Sequence, residues 1–199
     1  MSGEYRIGFS TESQRLIEAA WAKAPQIVER ELRGFMEAAT LALKGEAQDK
    51  TPTNRGTLRA SIGSGVRVIE NGLGVEGIVG TSLNYALPVE LGTKPHWVPL
   101  DALVDWVKRK GLAVVAPYVR GTPRAKRRKL AARREREVLR VARAIRFSIA
   151  RKGTSQWQRE RHGDPGALMF RETFDQARAG LVRDFDALAR RVAQQLGAA

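Results

Sequence analysis

The chain has 199 residues, 43% of them hydrophobic, no cysteine, and a formal charge of +14. That length suits one domain of ordinary size with room for an appendage, and the apolar content excludes a compositionally disordered chain. The lack of cysteine excludes disulfides and thiolate metal sites, and no apolar run nears the ~20 residues of a membrane span. A soluble protein without a secretory leader is expected. The charge is unevenly spread: residues 120–161 hold 16 Lys or Arg against 3 Glu, which leaves the rest of the chain at +1. A nearly neutral domain that carries one basic element points to a polyanion or an acidic protein surface as partner.

Residues 11–23 have helical spacing, with Leu16, Ile17, Ala20 and Trp21 on one stripe and Ser10 or Thr11 able to cap the start. A second helix is predicted from Pro25 to Asp49, its stripe being Ile27 or Val28, Leu32, Phe35 or Met36, Ala39 and Leu43. The turn residues of Thr51 to Gly56 stop it. From Leu58 to Thr81 the chain is rich in Val, Ile and Gly, and Asn71-Gly72 is a hairpin signal, so two or three antiparallel strands are predicted there. Pro88 limits any helix before it to about a turn. A short helix should run from Leu100 to Gly111, with Leu103, Val107 and Trp106 inward. A long basic helix should follow from about Pro123 to Lys152, ended by Gly153, with regular apolar spacing only from Val138 onward. Its N-terminal half is therefore expected to project. Trp157 to Gly166 reads as a polar loop, and a last amphipathic helix, from about Ala167 to Leu196, carries Phe170, Phe174, Leu181, Phe185, Leu188 and Val192. The expected fold class is α+β: a small antiparallel sheet packed by long N- and C-terminal helices, with a basic helical insertion. Residues 1–24 would form a helical arm, 25–112 with 138–199 the main domain, and 113–137 the insertion.

Signs of chemistry are sparse. Gly72, Gly74 and Gly77 spell G-x-G-x-x-G, but strand-like residues follow where a dinucleotide site needs a helix, so the glycines are assigned to a hairpin. His96 and His162 stand in no metal-ligand spacing, and no nucleophile motif or dense carboxylate cluster occurs. No catalytic residue, cofactor or metal is expected. Glu90 lies in an apolar string, and a salt bridge to Arg55 or Arg59 is the expected reason. The basic segment has three readings: a solvated helix face, a phosphate contact without base stacking, or docking onto an acidic neighbour. Its contact residues would be Arg124, Lys126, Arg127, Arg128, Lys129, Arg133, Arg134 and Arg136.

The order of motifs resembles the tail-component family of long-tailed bacteriophages, which includes tail-completion, neck and head–tail joining proteins. An N-terminal helix ends in the block Thr51 to Ile62. A hairpin follows, ending in Val79 to Thr81. Then come Tyr85, Ala86, Val89, Glu90, Gly92 and Thr93, followed by Trp106, Val107, Lys110 and Gly111, then Gly153-Thr154 and Met169-Phe170. The resemblance covers most of residues 25–196 and is weakest from Ala113 to Glu137. It implies a non-enzymatic virion protein that forms rings, commonly sixfold, at the head-proximal end of the tail. Its partners would be copies of itself, neighbouring tail and joint proteins, and genome DNA in the lumen, with no membrane. Tyr85, Leu87, Val89, Glu90, Leu91 and Trp97 are then candidates for the subunit interface. Two other classes compete with this reading: a non-specific nucleic-acid-binding protein acting through the basic helix, and a phage nuclease.

Overall fold

The computed structural model describes residues 8, 10–69, 74–113, 123–164 and 166–196. Among them are seven helices and one two-stranded antiparallel sheet. In chain order these are α1 (Thr11–Lys23), α2 (Pro25–Lys50), α3 (Thr57–Ser61), β1 (Gly63–Val68), β2 (Val75–Gly80), α4 (Ala86–Leu91), α5 (Leu100–Lys110), α6 (Arg124–His162) and α7 (Met169–Gln195). The class is α+β, mostly helical. The chain divides into two compact units, residues 1–86 with 168–199 and residues 87–167. The expected Asn71-Gly72 turn lies outside the described residues.

The first unit is built by three amphipathic helices and the hairpin. Ser10 caps α1 by accepting from the Ser13 N–H at 3.3 Å. Pro25 occupies the first turn of α2, where its missing N–H has no intrahelical acceptor to lose. The core joins Ile17 and Ala20 of α1, Val28 and Leu32 of α2, Val75 of β2, and Phe185, Leu188 and Val192 of α7. Burial of each large side chain contributes about 1.5–3 kcal/mol. Between the two candidates at the start of the α2 stripe, Val28 is fully buried and Ile27 is 37% exposed.

β1 and β2 pair from Gly63↔Gly80 to Val68↔Val75, with Arg67 opposite Glu76 and its Nε donating to Oε2 at 2.6 Å. Helix α2 lies against both strands. Gly77 makes that approach possible, because a Cβ there would overlap Thr40 Cγ2 and sit 3.6 Å from Met36 Sδ. The glycine therefore serves packing, in a strand rather than at the start of a helix. One expectation needs correction: Leu58 to Ser61 is not strand-like but forms the helical turn α3. Gly56 at φ +77° redirects the chain, and the turn buries Leu58.

Asp186 of α7 ties down the start of α1 by accepting from the hydroxyls of Ser13 and, at 3.0 Å, Ser10. The Ser13 hydrogen bond, aided by Ser10 and the charge of Arg190, holds the Asp186 carboxyl below its ordinary pKa. The folded value is the lower one, so the tie contributes fully above the ordinary carboxylate pKa of about 3.9 and is lost as pH falls through the folded value. Asp186→Asn should therefore flatten the acid limb of a melting-temperature-against-pH curve below about pH 4. An acid limb identical to wild type would show that the tie adds nothing to stability.

In the second unit, Leu103 and Val107 of α5 meet Val138 and Ala142 of α6, with Trp106, Val141, Ile145 and Ile149 packed alongside. Gly111 at φ +63° caps α5, as expected. Pro88 lies inside α4 rather than after a helix, within the first turn, where no intrahelical bond is lost. The polar loop expected from Trp157 is corrected too. Gly153 breaks the helical geometry at φ +69°, ψ −179°, but helix resumes and runs to His162, where Gly163 at φ +84° ends it. Polar composition concealed the helix, and its stop lies ten residues beyond the first glycine.

Candidate partner-binding surfaces

Two sequence-distant blocks meet in the second unit. The Thr93 N–H donates to Thr154 Oγ1 at 2.7 Å, the two hydroxyls lie 2.8 Å apart, and the Ser155 N–H donates to the Thr93 carbonyl at 3.2 Å. Gly153 is pressed onto the same loop. A Cβ on it would overlap the Thr93 carbonyl oxygen and lie 2.7 Å from the Lys94 carbonyl carbon. Gly166 is similarly placed, since its Cβ would overlap the Glu90 carbonyl and lie 2.7 Å from the Leu91 nitrogen. The Ala167 N–H donates to the Val89 carbonyl at 2.9 Å. The Glu90-to-Thr93 segment is thus clamped from both sides by residues 153–155 and 166–167. The sequence alone showed these as separate motifs and gave no sign that they touch.

The candidate interface residues divide by exposure. Glu90 is 4% exposed and Val89 is half-buried. The Arg59 guanidinium, named above as one expected partner of Glu90, pairs with Asp49 at 2.7 Å. Leu87 and Leu91, one helical turn apart on α4, are each 43% exposed, and Tyr85 is also exposed. Trp97 is 63% exposed and meets Phe147 of α6 edge-on at 6.3 Å, with the Arg146 guanidinium 5.0 Å from the indole centroid. Phe147 was not singled out from the sequence. Its place opposite the Val138–Ile149 stripe, on the outer side of α6, is the signal that could have found it.

The basic residues of α6 are open to solvent. Arg124, Lys126, Arg127, Arg128, Lys129, Arg133, Arg134 and Arg136 are all exposed, and Leu130 alone among the described side chains from 124 to 136 is partly covered. Lys129, Arg133, Arg136 and Arg140 line one long face of the helix. Glu137 partly neutralises that face, because Arg140 donates to it through Nε at 3.0 Å. That hydrogen bond, with the charges of Arg140 and Arg133, lowers the Glu137 pKa below its ordinary value. The face can attract phosphates or carboxylates; it has no recessed donor set for a small ligand.

Among the described residues no group of His, Asp and Glu could hold a metal ion, and no helix is long and apolar enough to cross a membrane. His96 is exposed, with Nδ1 2.9 Å from the Lys94 carbonyl oxygen. The side chain of His162 lies outside the described residues.

Residues 16–92 match the family model described as "Bacteriophage HK97-gp10, putative tail-component". No curated protein and no solved structure matches the chain. The matched span runs from within α1 through both strands to the end of α4, and so takes in the Thr51–Ile62 block and most of the Tyr85–Thr93 block. The resemblance to phage tail components is borne out there. Helices α5, α6 and α7 lie beyond it.

Proposed function

We propose, with the tail-component match over residues 16–92 as premise, that this chain is a structural virion protein forming a ring at the head-proximal end of a phage tail. In this reading it is a tail-completion or head–tail joining protein, made in the host cytoplasm and retained in the particle, with no catalytic step of its own. The family match carries the proposal. The exposed apolar residues Tyr85, Leu87 and Leu91 support it, because large apolar side chains left in water favour a covering neighbour. A ring needs one patch on each subunit to fit a complementary patch on the next, closed by rotation. The basic stretch 124–136 is then an insertion that serves this particular joint.

Imaging of the assembled particle tests this directly. The expected result is a closed ring of copies between head and tail tube, with Leu87 and Leu91 covered. A single copy without a like neighbour, or a location away from that end of the tail, would overturn it. A second reading, non-specific binding to nucleic acid outside any virion, is favoured by the eight exposed cations between residues 124 and 136 of α6 and predicts DNA affinity with no place in the particle.

A further inference from the structure

Within residues 87–167, two large aromatic side chains lie in contact and yet more than half open to water: Trp97 at 63% and Phe147 at 59%. Aromatic side chains each bury about 150–250 Å² when covered, so this pair leaves a sizeable gain unrealised. Arg146 stacks on the indole, and its Nε is buried with no hydrogen-bond partner among the described residues. Trp, Phe and Arg are enriched at protein interfaces, and Trp and Arg among binding hot spots.

The charges around the pair narrow the choice of partner. Arg143 and Arg151 lie one turn before and one turn after Phe147 on the same side of α6, and both are exposed, as is Lys94. From Val138 to Ser155 the helix carries five Lys or Arg and no acidic residue. We infer that Trp97, Phe147, Arg143, Arg146 and Arg151 seat an acidic segment of another protein, one in which an apolar anchor is flanked by carboxylates. The anchor covers the aromatic pair, and the carboxylates meet the arginine frame as charge-assisted, bidentate pairs. This holds whether or not the chain forms a ring.

Other occupants fit less well. Residues 87–167 hold 20 Lys or Arg against 7 acidic residues, so two copies of this unit repel each other, and the remainder of the chain is nearly neutral at 15 against 14. Single-stranded nucleic acid needs ring faces on which successive bases stack. Here the rings stand at 76° to each other, and Arg146 lies over the indole.

The test is a titration of the full-length protein by fluorescence anisotropy. The probes are a labelled peptide of Leu and Phe interleaved with Glu, the same peptide with Gln for Glu, and labelled oligo(dT). The Glu peptide should bind at least 10-fold tighter than its Gln counterpart. Trp97→Ala and Phe147→Ala should each weaken it at least 10-fold, the loss expected at a hot spot, with the circular dichroism spectrum unchanged because both side chains are exposed. Charge removal at Arg124, Lys126, Arg127, Arg128 and Lys129 should leave most of the peptide affinity in place, which separates this patch from the start of the helix. Equal binding of the two peptides would overturn the inference. So would wild-type affinity in Trp97→Ala, or oligo(dT) as the ligand whose binding that substitution abolishes.

Discussion

Gly153→Ala should destabilise the second unit by about 2–6 kcal/mol, the sum of backbone strain and overpacking costs of about 1–3 kcal/mol each. The residue has φ +69° and ψ −179°, a conformation that L side chains rarely adopt. It also lies against peptide backbone, at the Thr93 carbonyl, Lys94 and Pro95, which has no rotamer to move away with. Relief would require the loop to leave the kink, and the Thr93–Thr154–Ser155 hydrogen bonds would go with it. Gly166→Ala should act in the same direction through the Glu90 carbonyl. Gly34→Ala and Gly45→Ala are the controls. Both sit in α2 with nothing within 4 Å of a new Cβ, so each should leave stability unchanged or raise it by up to about 1 kcal/mol. Urea unfolding gives the magnitudes, and hydrogen exchange places the loss in residues 87–167. Wild-type protection there in Gly153→Ala would show that the kink is not a fixed junction.

The other large effect is expected on duplex DNA. Gln at Arg124, Lys126, Arg127, Arg128 and Lys129 removes five charges and keeps helix propensity. If the start of α6 meets phosphates, affinity near physiological salt should fall on the order of 100-fold or more, and the log–log salt slope should flatten by about 0.9 for each phosphate contact removed. The effect should not depend on DNA sequence, because a run of exposed cations suits phosphates, and phosphate contacts carry no sequence information. The same variant should form more stable helix, since like charges at i, i+3 and i, i+4, such as Lys126 with Lys129 and Lys129 with Arg133, each cost a few tenths of a kcal/mol. Unchanged DNA binding together with defective joining of heads to tails would assign the cations to an acidic protein ring. Normal binding and normal joining would reduce them to a solvated face.

Much of the helical architecture was legible because periodicity is a local property. The stripes Ile17–Ala20, Val28–Leu32, Leu103–Val107 and Phe185–Val192 repeat at helical spacing, and each is a buried face. The hairpin was legible from its β-branched residues, and the exposed start of α6 from its missing apolar positions. What local pattern could not supply is which distant segments touch. The division at residues 87 and 167, the docking of Thr93 on Thr154, and the overlap of Trp97 with Phe147 and Arg146 all join residues roughly 50 or more positions apart. Nor does composition show that helix resumes after Gly153. That glycine is a helix stop by local rules, but here it lets two backbones approach within contact while α6 continues past it. The sequence by itself determined the amphipathic faces, the hairpin and the basic helix. Only the tertiary structure decided which glycines are irreplaceable and which aromatic side chains remain uncovered, because both depend on the atoms that long-range packing places beside them.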